Sequence, residues 1–332
     1  MLRMQSSESD NGDNIRKKVL LVSWSHVDLA FKSMLEDNLE DDLTFYRFSH
    51  HESWNSAERS YLKNISHIFS QIKDVWGLSR GKEVVLFGTN LCRIFFPLIY
   101  SGVHYVYNEL PSVRFGLLGL YDRLVFLLSK HVYVSSSSRA DLLSKRWFNS
   151  ERLGVLENTT FSNIDFYDGS DSRINKAIFI GAVANRRFGP LAQLQLEEMI
   201  NSGIGVDILP SFIKYGFNFS NPKVKILDGV PHHLVNSIIS QYKFGILAYE
   251  PVSLNNYYAA PLKIYEYVNA GLRVISLLEN EGIDSIRKKY PALFFDPKNP
   301  VYYVDEEYQS MRKQFLMAAI DSNQLFVDKV LC

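Results

Sequence analysis

Short apolar runs of four to six residues recur along this chain with helix-patterned stretches between them, and the series runs twice. The first series is Lys18-Val-Leu-Leu-Val-Ser23, Leu43-Thr-Phe-Tyr-Arg-Phe48, Glu83-Val-Val-Leu-Phe87, His104-Tyr-Val-Tyr107 and His131-Val-Tyr-Val134. Their β-branched and aromatic content, bounded by charged or small polar residues, predicts buried strands. Leu29 to Leu39 and Tyr61 to Trp76 read as helices, the second with apolar residues at Leu62, Ile65, Ile68, Phe69, Ile72 and Val75. The polar, turn-rich segment Asp165 to Asn175 then interrupts the pattern and reads as a linker. Beyond it the strands resume at Lys176–Ile180, Val206–Leu209, Val224–Leu227, Phe244–Ala248 and Arg273–Ser276, with helices at Leu191–Asn201 and Leu234–Gln241. Strands alternating with helices predict a parallel, doubly wound sheet, and two such series predict two Rossmann-like α/β domains facing a central cleft. The division expected is a flexible segment over 1–17, a first domain over 18–170, a second over 171–310, and a C-terminal helix over 311–332 packing back across the junction.

Composition narrows what those domains can do. Thirty-six basic and thirty-six acidic side chains cancel, so the basic excess of a dedicated nucleic-acid binder is missing. Two cysteines, Cys92 and Cys332, make neither a disulfide framework nor a zinc cluster and fit a reducing compartment. The first eighteen residues lack the apolar stretch of a signal peptide, and the apolar run from Phe115 to Leu128 is broken by Tyr121, Asp122 and Arg123. A soluble, cytoplasmic chain is expected.

The segment Tyr257-Tyr-Ala-Ala-Pro-Leu-Lys-Ile-Tyr-Glu-Tyr-Val-Asn-Ala-Gly-Leu-Arg-Val-Ile-Ser276 carries the chemistry. Pro261 suits a helix start, Gly271 a helix end, and Val274-Ile275 a new strand. Lys263 and Glu266, three apart, share a helix face. A lysine at a helix N-terminus offers positive charge to a diphosphate, and a carboxylate one turn on can accept hydrogen bonds from ribose hydroxyls.

This segment resembles the donor-site signature of GT-B glycosyltransferases, in particular the family 4-like and glucuronosyltransferase-like groups. Pro261, Lys263, Glu266, Tyr267, Ala270, Gly271, Val274 and Ile275 match it in order. The likeness extends more weakly to Phe244–Glu250, to Phe179-Ile-Gly181 followed by Asn185, Arg186 and Arg187, to Leu124–Leu143, and to Leu156-Glu-Asn158. Three departures stand out: Tyr258 replaces the glutamate expected eight positions before Glu266, Arg273 replaces a proline, and Ser23-Trp-Ser-His-Val-Asp28 replaces a glycine-rich loop. Retaining and inverting outcomes therefore both stay open.

The resemblance implies a glycosyltransferase that binds a nucleotide-diphosphate sugar, a UDP-sugar first of all, with Lys263, Glu266, Asn185, Arg186 and Tyr258 in the donor site. Its acceptor would be a glycan or lipid-linked sugar of bacterial capsule, exopolysaccharide or lipopolysaccharide. No cofactor and no metal are expected, since no D-x-D appears and the pairs His232-His233 and His50-His51 lack further ligands. An inverting transfer needs a base in the first domain, and Glu109, Asp28 and His26 stand after predicted strands, where open α/β sheets place ligands. The alternatives are a GT-B nucleotide-sugar epimerase or hydrolase and a catalytically silent GT-B partner protein. Lys130, Arg139, Lys145, Arg146 and Arg152 lie among Leu127, Leu128, Leu142, Leu143, Trp147 and Phe148, a mixture that reads either as peripheral contact with the inner membrane face or as core with solvated charges.

Overall fold

The protein is described by a computed structural model, which covers residues 17–24, 42–49, 61–88, 103–107, 117–147, 150–157, 173–183, 189–213, 221–251, 253–301 and 303–331. In the first domain, β1 (Val19–Trp24), β2 (Leu43–Phe48), β3 (Glu83–Phe87), β4 (His104–Tyr107), β5 (His131–Val134) and β6 (Leu153–Val155) form one sheet in the order β2-β1-β3-β4-β5-β6. All its pairings are parallel. Both faces of the central strands β1, β3 and β4 are covered, which is why these are largely apolar runs, whereas the edge strand β2 keeps Arg47 exposed. Leu20, Val22, Leu86, Tyr105 and Tyr107 point to one face. There they meet Val75 of α1 (Tyr61–Leu78), Val125 and Phe126 of α2 (Leu117–Leu128), and Leu143 of α3 (Ser137–Trp147).

The second sheet contains β7 (Ile174–Val183), β8 (Gly205–Ile213), β9 (Val224–Ile226), β10 (Tyr242–Leu247) and β11 (Arg273–Ser276) in the order β11-β10-β7-β8-β9. These strands too are parallel throughout. Helix α4 (Pro190–Asn201) seals one face through Leu196, Met199 and Ile200 against Phe179, Ile208 and Ile246. The other face buries Ile178 and Ile180 beneath Ile239 of α5 (His232–Ile239) and Ile264 and Val268 of α7 (Leu262–Asn269). Between β10 and α7 runs the single turn α6 (Leu254–Tyr257), and α8 (Glu281–Lys289) follows β11. Strand order reverses at β7, so the crevice at its carboxyl end opens between β7 and β10; the first sheet reverses at β1, between β1 and β3.

Helix α9 (Asp305–Leu331) spans both domains. Its first turn is acidic (Asp305, Glu306, Glu307), which suits the positive end of a helix. Phe315 and Leu316 pack into the second core, while Phe326, Val327 and Val330 cover Val19, Leu21, Val85, Val106 and Tyr133 on the open face of the first sheet. Ser322 Oγ donates to the Val155 carbonyl at 2.8 Å, on the last strand of the first sheet. No helix among the described residues is long and apolar enough to cross a membrane.

At the foot of the first sheet His104 is fully buried, stacked on His131 at 5.2 Å and 3.5 Å from the Glu83 carboxylate. Burial, reinforced by the charges of His131 and Lys130, lowers its pKa to about 4 against an ordinary 6.5. Burial also lowers that of His131, helped by Lys329 of α9. The folded protein therefore holds His104 neutral over a range in which the unfolded chain takes up a proton. Stability is fully present above pH 6.5 and drains away as pH falls toward about 4. A shift of that size corresponds to about 3 kcal/mol. Urea midpoints measured from pH 7 to 4 should fall for the wild type and fall less steeply for His104→Phe; equal slopes would mean that His104 is not the group responsible.

Candidate functional site

The crevice of the second domain is built by a tyrosine. Strands β7 and β10 pair at Phe244–Ala177 and Gly245–Ile178 and no further toward their carboxyl ends. Beyond that point the Tyr267 hydroxyl stands between them, accepting from the Ile180 N–H at 3.0 Å and donating to the Ile246 carbonyl at 3.1 Å. The ring passes over Gly245, where any Cβ would run into it. Tyr267 is fully buried, and burial raises its phenol far above the ordinary value, so it remains a neutral hydroxyl. It is a structural letter of the motif, and its effect is to hold the two strands apart beyond Gly245.

Helix α7 lies over this crevice and presents its N-terminus to it. Pro261 is the N-cap, one residue before the helical start, and its ring has no atom that could accept a cap bond from the first N–H groups. The other end is tied firmly. Gly271, at φ +80°, closes a Schellman turn in which the Leu272 N–H reaches the Tyr267 carbonyl at 2.9 Å and the Gly271 N–H reaches Val268 at 3.0 Å. The buried guanidinium of Arg312 on α9 then donates to the Val268 carbonyl at 2.8 Å and the Asn269 carbonyl at 2.6 Å. A cation thus sits at the negative end of the helix, and its positive end faces the crevice.

Lys263 is half-buried in the first turn of α7. Its Cε and Nζ lie where a side chain on Gly181 would be, 2.6 and 2.7 Å from an ideal Cβ there. Gly181 has φ +113° and stands near the end of β7, so the ammonium rests directly on strand backbone at the mouth of the crevice. Glu266, one turn further along α7, is also half-buried. Tyr258 is the C-cap of α6; its ring meets Tyr257 edge-on at 5.1 Å, and its carbonyl accepts from Ser136 Oγ of the first domain at 3.2 Å. Asn185 and Arg186 lie outside the described residues, as do Glu109, Asp28 and His26.

Two features around the crevice escaped sequence reasoning. The N-terminus of α4, the next described element after β7, is already occupied. Glu250, at the end of β10, is buried, and its Oε1 accepts from the N–H groups of Leu191 at 3.0 Å and Ala192 at 3.2 Å. Gly189 makes room for that carboxylate. The N-terminus of α4 is thus filled by an anion of the protein itself, whereas that of α7 carries Lys263 with no side-chain cap. The second feature concerns the basic cluster of the first domain. Arg139 is neither solvated nor available to a membrane surface: it is buried in the junction between the domains. Its neighbours Leu142 and Leu143 are core, whereas Leu127 and Leu128 are exposed.

No protein-family model matches this chain, and no curated protein matches it in sequence. Solved structures do match in shape. UDP-GlcNAc 2-epimerase from Neisseria meningitidis, bound to UDP-GlcNAc, superposes with a TM-score of 0.56 at 13% identity, over 94% of this chain and 99% of that one. The fold is GT-B. Sucrose-phosphate synthase from Thermosynechococcus elongatus matches with a TM-score of 0.57 at 11% identity over 95% of each chain. The glycotransferase of kitacinnamycin matches at 0.54 and 10% identity, over 95% of this chain and 99% of that one. Within the GT-B fold, the β7–β10 crevice and α7 belong to the second of the two domains.

Proposed function

We propose that the protein is a glycosyltransferase that takes its sugar from a nucleotide-diphosphate donor, first of all a UDP-sugar, held in the second domain. One observation carries this reading: Lys263 at the N-terminus of α7, which has no side-chain cap, lying on Gly181 beside a crevice where the N-terminus of α4 is filled by Glu250. A diphosphate leaving group gains negative charge as the glycosidic bond breaks, and a lysine and helix dipole fixed beforehand at that place stabilise it without reorganisation. Glu266 accepts from the ribose hydroxyls. Arg186 and Asn185, which follow β7 in the sequence, add charge and hydrogen bonds to the phosphates, and Tyr258 stacks on the base or sugar. In an inverting transfer Glu109, Asp28 or His26 takes the acceptor's proton. The acceptor is a glycan or lipid-linked sugar of a bacterial surface polysaccharide, met at the inner face of the membrane.

A second reading has its own support, because the shape matches include a UDP-GlcNAc 2-epimerase over 94% of this chain. An epimerase or hydrolase needs no acceptor, and that separates the two. UDP-GlcNAc, UDP-glucose and UDP-glucuronic acid should each be incubated with the protein and followed by proton NMR, with and without a lipid-linked glycan extract. Transfer predicts an intact donor alone and UDP release with extract. Isomerised sugar nucleotide or free UDP in the absence of extract favours the second reading. A protein that neither binds UDP nor changes any donor is a silent GT-B partner.

A further inference from the structure

We propose that Arg139 is a positioning residue for the donor site: reaching over from the first domain, it fixes the segment that leads into α7 and so sets Lys263. The inference rests on the nucleotide-binding reading above and adds a cross-domain requirement to it. The segment from 253 to 261 is held on its own side by Asn256 Nδ2, which donates to the Glu250 carbonyl at 3.0 Å, and by Asn280 Nδ2, which donates to the Asn256 carbonyl. Its outer side is held by the first domain. Arg139 Nη2 donates to Asn255 Oδ1 at 2.8 Å and to the Asn255 carbonyl at 3.2 Å, while Nη1 donates to Ser135 Oγ. Ser136 Oγ donates to the Tyr258 carbonyl at 3.2 Å.

From there to α7 the chain has no slack. Ala259, Ala260 and Pro261 are all buried, and Gly282 of α8 packs so closely on the Ala259 carbonyl that a Cβ there would collide with it. Lys263 follows Tyr258 by only five residues, so a displacement of Asn255 or Tyr258 passes through packed small residues to the ammonium. A shift of about 1 Å is enough to spoil a charged contact. Arginine suits the task because its planar fork binds Ser135 and both oxygens of Asn255 at once, which a lysine does not reproduce.

Calorimetric titration of UDP into wild type, Arg139→Lys, Arg139→Ala, Asn255→Ala and the Arg139→Ala/Asn255→Ala pair tests the idea. Each single change should weaken UDP about tenfold at unchanged stoichiometry, the pair should be no weaker than its weaker member, and Arg139→Lys should fail to restore affinity. Asn255→Ala, on a half-buried turn, guards against a folding defect at Arg139. A merely structural role lowers the binding-competent fraction and leaves the dissociation constant of the remainder alone, and that result overturns the proposal. So do single variants that bind within twofold of wild type, or losses that multiply in the pair. If wild type itself takes up no UDP, the nucleotide reading fails and carries this inference with it; tight wild-type binding matched by all variants sinks this inference alone.

Discussion

Lys263→Met is expected to weaken UDP binding about 100-fold while leaving the fold intact. Methionine keeps the unbranched stem that lies on Gly181 and removes only the charge. Hydrogen bonds to a charged partner contribute about 1.5–3 kcal/mol, which spans roughly 10- to 150-fold in affinity. The upper part of that range is expected because the α4 N-terminus, filled by Glu250, offers the diphosphate no substitute. Isothermal titration of UDP into the variant, beside urea midpoints of the unliganded protein, is the check. A loss under threefold would move the diphosphate away from α7, and a lowered urea midpoint would assign the lysine to packing. Glu266→Gln serves as the second arm. It retains an acceptor oxygen for the ribose and should cost less, with a larger deficit against UDP than against inorganic pyrophosphate.

How much of this site could be read from the chain follows from the kind of signal each residue leaves. Helix α7 and its ends were legible because proline, glycine and the spacing of Lys263 and Glu266 are local features, fixed by backbone geometry within one or two turns. Repeated strand and helix patterns likewise disclosed two parallel sheets, since a strand covered on both faces must be apolar throughout. Glu250 left no such trace. It meets α4 across 59 residues of sequence, and one acid at a strand end looks the same whether it faces solvent or caps a distant helix. Arg139 was harder still. Amid other basic residues it reads as part of a solvated or membrane-facing patch, and only the meeting of α3 with α6, 116 residues away, buries it. Burial of a charge is a tertiary property: it depends on which polar oxygens the fold brings within reach, and a residue's immediate neighbours do not encode that. Gly189 and Gly245 did carry a signal, because a lone glycine beside a helix start or within a strand often marks close approach by another group, but which group approaches is not written locally.

Gly245 gives the largest expected effect on stability. Gly245→Ala should cost about 2–6 kcal/mol, a large part of the 5–15 kcal/mol that a domain typically has. Its new Cβ would lie 2.5 and 2.6 Å from the Tyr267 Cδ atoms, well inside van der Waals contact. Relief would require the ring to move, but Tyr267 is fully buried between strands and bonded through its hydroxyl to both β7 and β10. Overpacking of this kind costs about 1–3 kcal/mol by itself. Withdrawing the ring would add about 1–3 kcal/mol by leaving the Ile180 N–H buried and unpaired. Tyr267→Phe isolates that second contribution, since it removes the hydroxyl and keeps the ring. If the wedge works as described, urea midpoints should rank wild type above Tyr267→Phe and Tyr267→Phe above Gly245→Ala. The double variant should also fall by less than the two losses added, because a phenylalanine has no strand bonds left to lose when it is pushed aside. Strict additivity would show that the alanine disturbs the β7–β10 pairing directly, without acting through the ring.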